Sequence, residues 1–387
     1  MLYLLLDLTR DWLVDHGLYF AFRLLDEVQF RALAAAGLSF LLVVALGRRA
    51  IRLLVSMKIG DSGSTDAEAL RAHAASKANV PTMGGALVCG AILVSMLLLA
   101  DLSTSYVQLG LITLVWLAAL GGADDWLKLT AARRGAGRQG LLAWEKLVFQ
   151  LGLGLIIGIF AYRAGGEAHS VAHAINLPFQ KTYASVSGVV SESLIYLPRW
   201  AYVLIAVVLI TGMSNAVNIT DGMDGLATGT AVSVSLGLMA LTLIAGSASV
   251  ATYLYVPHIP YASELAVLAG AMAGACLGFL WWNCSPAQVF MGDTGSLPIG
   301  GLIAYIAIVV RQELVVLLMC GVFLAEIASV VLQVGYFRAT GGKRIFRCAP
   351  WHHHLHLGGW TEQQVVARLW IVAIILGVLA LATLKIR

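Results

Sequence analysis

Apolar runs of about 20 residues recur from one end of this chain to the other, each long enough to cross ~30 Å of hydrocarbon as a helix. With 387 residues, 59% hydrophobic and only 12% charged, and a mean hydropathy of +0.85, the chain belongs in a bilayer rather than in water. The runs predict an all-α integral membrane protein of about ten transmembrane helices. They cover Phe30–Arg48, Met83–Leu102, Tyr106–Ala123, Ala143–Tyr162, Trp200–Val217, Gly225–Gly246, Glu264–Trp282, Leu297–Val310, Leu314–Phe337 and Val365–Leu384.

Three of the connections are rich in Lys and Arg. They carry Arg48, Arg49, Arg52, Lys58, Arg71 and Lys77; then Lys128, Arg133, Arg134, Arg138 and Lys146; then Arg338, Lys343, Arg344 and Arg347. By the positive-inside rule these connections face the cytoplasm and both termini lie outside. The chain reads as one polytopic domain over 1–387, with an amphipathic outer-face segment at 1–29 and an outer-face loop at 163–199 whose Ser/Val alternation predicts a small hairpin. A net charge of +4 marks topology here and implies no nucleic-acid partner. The five cysteines form no Cys-x-x-Cys pair, so neither a disulfide framework nor a zinc knuckle is indicated.

Polar residues at the ends of runs all fall on the same side. They are Lys77 and Thr82; Asp124, Asp125 and Lys128; Asn215, Asn218, Asp221 and Asp224; Asn283 and Asp293; and His352, His353, His354 and His356. A charged side chain costs about 2.5–3.5 kcal/mol at the bilayer centre on insertion scales, and is tolerated mainly where it lines protein or water. Such clustering on one face predicts an aqueous cavity with chemistry in it. Glu326, near the middle of the ninth run, and Gln333 two turns later share a face and are expected to point into the bundle. Gly152, Gly154 and Gly158 predict close helix packing.

Four motifs carry the chemistry. In Gly121-Gly122-Ala123-Asp124-Asp125-Trp126-Leu127-Lys128, adjacent helical acids diverge by about 100° and can serve different partners, one a metal and one a proton, while Asp124 and Lys128 share a face. A charged helix end with an ordinary i,i+4 pair is the plainer reading. Asn215, Asn218, Asp221 and Asp224 set four oxygen-bearing side chains at three-residue steps, which suits Mg2+ or the polar edge of a nucleotide; no glutamate completes a calcium loop. From Asn283 through Phe290, Gly292 and Asp293 to Ser296, a glycine-flanked aspartate opens the eighth run. Backbone N–H groups there can hold phosphate oxygens and Asp293 the metal that bridges them, although a glycine-rich N-cap accounts for the same residues. No Walker lysine follows, which excludes a P-loop. Four histidines within five residues, His352 to His356, point to phosphate binding, proton shuttling or metal ligation. Zinc lacks the His-Glu-x-x-His spacing and a cysteine cluster.

Taken in order, these motifs resemble the polyprenyl-phosphate N-acetylhexosamine-1-phosphate transferase superfamily, most closely its phospho-N-acetylmuramoyl-pentapeptide transferase branch. The resemblance spans most of the chain and rests on Pro81-Thr82-Met83-Gly84-Gly85, Asp124-Asp125, Asn218 through Gly225, Phe290 through Ser296, and Pro350-Trp351-His352-His353-His354. It implies a ten-helix, Mg2+-dependent enzyme of the bacterial inner membrane, usually a homodimer, with its active site on the cytoplasmic face. It implies transfer of phospho-MurNAc-pentapeptide from UDP-MurNAc-pentapeptide to undecaprenyl phosphate, giving lipid I and UMP, the first membrane step of peptidoglycan synthesis. On that resemblance Asp293 is the metal ligand, Asp124 the base that deprotonates the lipid phosphate, and Asp125 its support. Asp221, His352, His353 and His354 line the phosphate and sugar region. Lys77, Asp224, Asn283 and Phe290 match the uracil pocket; Thr82, Asn218 and Gly292 border the nearby nucleotide region. Lys146 meets charged groups of the substrate, and Lys128 and Asn215 are counted with the binding residues.

The chain departs from the family pattern where Asn79-Val80 replaces Gly-Thr and Leu355-His356 replaces Phe-Glu. Direct displacement is preferred over an aspartyl-phosphate intermediate, but the sequence does not choose between them. A neighbouring branch moving GlcNAc-1-phosphate is the nearest rival, and the triple histidine counts against it. A transporter or flippase would show broken helices and paired repeats, and no internal repeat is found. An intramembrane metalloprotease lacks its ligand spacing.

Overall fold

The computed structural model describes residues 1–57, 80–134, 140–167, 169–177, 180–183 and 189–385. Hydrocarbon offers no partner to a backbone N–H or C=O, so an apolar run must satisfy its own, and a helix does so. Among the described residues nine helices are long and apolar enough to cross a membrane, and Gly85–Leu99 is a shorter apolar helix. In chain order the principal elements are α1 (Leu2–Asp15), α2 (Val28–Ser56), α3 (Gly85–Leu99), α4 (Ser105–Arg134), α5 (Ala143–Ala164), β1 (Ala174–Ile175), β2 (Ile195–Tyr196), α6 (Arg199–Thr220), α7 (Leu226–Gly246), α8 (Leu265–Asn283), α9 (Asp293–Val310), α10 (Glu313–Met319), α11 (Gly321–Ala339), α12 (Trp351–His356) and α13 (Glu362–Thr383).

The layout follows from α9. Every residue from Asp293 to Val310 is buried, so this helix is apolar nearly all round and forms the axis of the bundle. Helices α3, α4, α6 and α7 pack on it, α8 packs against α2 and α7, and α5 lies farther out against α6. The approach of α4 to α9 is backbone on backbone, because a Cβ at Gly121 would strike the carbonyl of Asp293. Gly154 and Gly158 bring α5 equally close to Val207 and Val203 of α6, whereas Gly152 faces open space.

The ninth run differs from its sequence reading. Instead of one span from Leu314 to Phe337, it breaks at Cys320 into α10 and α11. The first half packs on α13 and the second on α6, so the two halves answer to different neighbours. A run that is apolar on both sides of a break carries no sign of it.

At the end of the bundle away from Asp293, two ion pairs are buried. Both terminal guanidinium nitrogens of Arg31 on α2 reach Glu264, at 2.7 and 2.5 Å. Arg311 pairs with Glu313 at 2.6 Å, while its Nε donates to the Ala174 carbonyl at 3.0 Å and so holds β1, which pairs antiparallel with β2. On α1, Leu6 and Leu13 are buried while Leu5, Leu8 and Trp12 face outward.

Candidate active site

Four helices deliver their polar residues to one place. Asp293, the first residue of α9, accepts from Asn218 Nδ2 at 2.7 Å through Oδ1, and from Lys146 Nζ at 2.6 Å and Lys128 Nζ at 3.3 Å through Oδ2. Asp124 on α4 is fully buried. Its Oδ2 takes the same two ammonium groups, Lys128 at 2.7 Å and Lys146 at 2.6 Å, and its Oδ1 accepts the Leu141 backbone N–H at 2.6 Å. Burying a carboxylate costs several kcal/mol unless a countercharge comes with it, and the two lysines supply that charge. The side chain of Lys128 is 45% exposed, so the cluster opens to water along it.

Asp125, one position on, turns to a different partner. It accepts the backbone N–H groups of Asp293 at 3.2 Å and Thr294 at 2.9 Å, and the Thr294 hydroxyl at 2.7 Å. The first N–H groups of a helix have no partner within it. Asp125 supplies them from α4 and thereby fixes where Asp293 stands. The turn into α9 is made at Gly292, with φ +73°, where a Cβ would stand 2.6 Å from Asp125 Oδ2 and 3.0 Å from Thr82 Oγ1. Glycine satisfies both the backbone angle and the lack of space.

One oxygen from each of Asp124, Asp125 and Asp293 lies within 4.8 Å of the others, the one such group among the described residues able to take a metal ion. A donor set made only of carboxylate oxygens fits a hard cation such as Mg2+ and does not fit a soft one.

Around this centre the other motif residues knit the site together. Asp221 follows α6 in a half-buried turn, where burial and then the neighbouring Asp293 charge push its carboxyl up to about 7. Asn283 accepts from the Gly225 N–H and the Thr228 hydroxyl, both at 3.1 Å, and donates to the Val289 carbonyl at 2.8 Å. Asp224 accepts the Ala287 N–H at 3.0 Å. The Phe290 N–H donates to the Pro81 carbonyl at 2.8 Å and the Phe290 carbonyl accepts from Gly84 at 2.9 Å, so the stretches around Thr82 and Gly292 are laced by main chain. Asn215 is engaged elsewhere, donating to Gln150 Oε1 at 2.9 Å in the contact between α5 and α6. Lys77 lies outside the described residues.

The histidines divide into two pairs. His352 is fully buried, and its Nδ1 and backbone N–H meet Glu326 Oε2 at 3.1 and 3.2 Å. His353 packs edge-on against it, with ring centroids 4.2 Å apart. His354 Nδ1 accepts the Arg347 N–H at 3.1 Å, and His356 Nδ1 lies 2.9 Å from the Trp360 carbonyl, so these two hold their own loop. Glu326 points inward as its place in the run implies, while Gln333 sits at the rim and accepts from Ile345 and Phe346 at 3.1 and 2.8 Å.

Beside the acids lies a feature with no motif of its own. A cavity of about 770 Å³ runs along α4 and α5, lined by Ile112, Val115, Trp116, Ala119, Ala123 and Phe149 among others, and ends at Leu141 and Ala123 next to Asp124. Its walls are apolar, and Ile112, Val115 and Phe149 face outward toward hydrocarbon. The stripe on α4 is periodic, but a lipid-facing stripe has the same period, so the concavity has no signal in the sequence.

Residues 107–311 match the family model of glycosyl transferase family 4. A protein of Desulfotalea psychrophila named phospho-N-acetylmuramoyl-pentapeptide-transferase is 41% identical over 372 residues, which is 96% of this chain and 98% of that protein. Its namesake in Syntrophus aciditrophicus is 39% identical over 96% and 98% of the two chains. The chain belongs to the phospho-N-acetylmuramoyl-pentapeptide transferase family. The match to the family model ends at Arg311, but kinship with these transferases over 96% of the chain takes in the histidine segment and Glu326 as well. Where the transferase pattern has Phe-Glu, the Leu355-His356 of this member lies in and ends α12, and His356 is spent on Trp360.

Proposed function

We propose that this chain transfers phospho-MurNAc-pentapeptide from UDP-MurNAc-pentapeptide to undecaprenyl phosphate in the bacterial inner membrane, releasing UMP and forming lipid I. The observation that carries this reading is the junction at Asp124. A cluster of carboxylates and lysines suited to phosphates opens directly beside an apolar cavity that faces the bilayer. A phosphate carried on a polyprenyl chain needs both surfaces at once, the lysines for its head and the cavity for its first isoprene units. Kinship over nearly the whole chain with proteins named for this transfer supports the same reading.

In the reaction a phosphate oxygen of the lipid attacks the β-phosphorus of the nucleotide, and the bond from that phosphorus to the oxygen of UMP breaks. Asp124 takes the remaining proton of the lipid phosphate, which raises the charge on the nucleophile. At rest Asp124 is tied to Lys128 and Lys146; incoming phosphates compete for both ammonium groups, which frees the carboxylate and sets positive charge beside the transferring group. Asp293, with Asp124 near it, would hold Mg2+, which supplies charge neutralisation as UMP departs. Asp125 positions Asp293. Asp221, His352 and His353 line the sugar and phosphate side, with His354 behind them. Thr82, Asn218, Asp224, Asn283, Phe290 and Gly292 frame the uridine side, and the family resemblance assigns Lys77 to the same substrate group. The distribution of Lys and Arg supports a cytoplasmic site with both termini outside, and the family resemblance supports a homodimer.

The test uses purified protein in detergent with undecaprenyl phosphate and Mg2+, and compares UMP release from UDP-MurNAc-pentapeptide and UDP-GlcNAc. Release from the first donor alone is expected, lost by at least about 1,000-fold in Asp293→Asn and abolished by a chelator until Mg2+ is restored. Release only from UDP-GlcNAc moves the protein to the neighbouring branch of the superfamily. No release from either favours transport without chemistry.

A further inference from the structure

Glu326 stands in the second turn of the apolar helix α11, fully buried, 26 residues before His352. Its Oε2 receives two groups of the same histidine, the backbone N–H at 3.2 Å and the ring Nδ1 at 3.1 Å, and its Oε1 has no hydrogen-bond partner. A residue needed only to cap the short helix α12 would require the first of these bonds. The second reaches the ring. With Glu326 as a carboxylate, its oxygens only accept, and the proton between the two groups belongs to Nδ1. The bond made at one ring nitrogen then decides what the other presents.

That other nitrogen, Nε2, is fully buried and has no partner. It faces Gly222, where a Cβ would come within 2.5 Å, so the absence of a side chain at that position leaves room for the ring. Gly222 adjoins Asp221, in the turn between α6 and α7 that follows Asn218, and Asn218 donates to Asp293. A buried ring nitrogen held from behind and left without a hydrogen-bond partner in front is arranged to meet something absent from the resting protein.

We propose that Glu326 is a positioning residue for the transfer. It locks His352 with Nδ1–H toward the carboxylate and directs Nε2 at the turn of Asp221 and Gly222, where the unprotonated Nε2 accepts a hydrogen bond from a sugar hydroxyl of the donor. The proposal rests on the functional reading above and gives it a residue that touches no substrate.

Glu326→Gln preserves the shape of the side chain but removes its charge, so a neutral amide oxygen holds Nδ1–H less strongly than the carboxylate does and fixes the tautomer less firmly. The expected result is a fall of about 100-fold in kcat for UMP release, with KM for UDP-MurNAc-pentapeptide within about threefold of the parent and no loss of thermal stability. In a His352→Ala background the same substitution should change kcat by less than about twofold, because Glu326 acts through the ring. Losses that multiply in the double variant would mean that Glu326 serves the fold, and would overturn the proposal. So would parental kcat in Glu326→Gln. If the Gln variant does not fold, Glu326→Asp takes its place in the same cycle, since it keeps the carboxylate at shorter reach; multiplying losses overturn the proposal there too. The side-chain 15N shifts of His352 read the ring without turnover and are expected to report a protonated Nδ1 in the parent. An active parent whose Nδ1 lacks its proton overturns the positioning role, whereas a parent that releases no UMP overturns the functional reading.

Discussion

Three aspartates meet at the site, and their surroundings give each a separate task. Asp124 and Asp293 share two lysines, while Asp125 spends both oxygens on the start of α9. Asp125→Ala is therefore expected to act as the loss of a helix cap, lowering stability by about 1–2 kcal/mol in a thermal melt, and to slow UMP release more than that figure alone accounts for, because Asp293 is no longer held at its height. An unchanged melting temperature would contradict the capping role. The pairing of Asp124 with Lys128 was legible from their i,i+4 spacing. The second lysine was not, since Lys146 reaches the acids only because the first turn of α5 folds back against α4, a tertiary fact with no local pattern. Likewise Glu326 showed itself as an inward-pointing acid, but its partner lies in a different helix and no periodicity links them.

Among the described residues, hydrophobic runs disclosed the nine helices long enough to span and the shorter Gly85–Leu99, because each must bury or immerse a similar length of side chains, and that requirement is written in composition. Helix partners are chosen by small residues and surface shape, which runs do not record, and the break at Cys320 is the plainest case. The ends of the bundle also divide their labour. The buried pair of Arg31 and Glu264 binds the start of α2 to the start of α8, far from Asp293. Glu264→Ala leaves a buried guanidinium without its partner and is expected to cost about 3–5 kcal/mol in stability. Turnover per folded molecule, measured below the melting transition, should stay within about twofold of the parent because the site end is untouched. A selective loss of kcat would show that the two ends are coupled.

Taken whole, the molecule sets its acids between two surroundings, with the half-exposed Lys128 on one side and an apolar cavity on α4 and α5 that ends beside Asp124 on the other. Ala119→Trp fills that cavity, and should raise KM for undecaprenyl phosphate about tenfold while leaving KM for the nucleotide donor unchanged; equal effects on both would place the lipid elsewhere. Asp293, meanwhile, begins the one principal helix among the described residues that is buried throughout, and that has a consequence for the membrane the protein can inhabit. Bilayers differ in thickness by several ångströms, and mismatch is absorbed by the helices whose faces touch lipid, through tilt and bending at small cost per ångström. α9 touches none. A cell that lengthens or shortens its acyl chains with temperature thus retunes the outer wall of this protein while the reaction centre keeps its spacing, so growth conditions can remodel the membrane without resetting the chemistry.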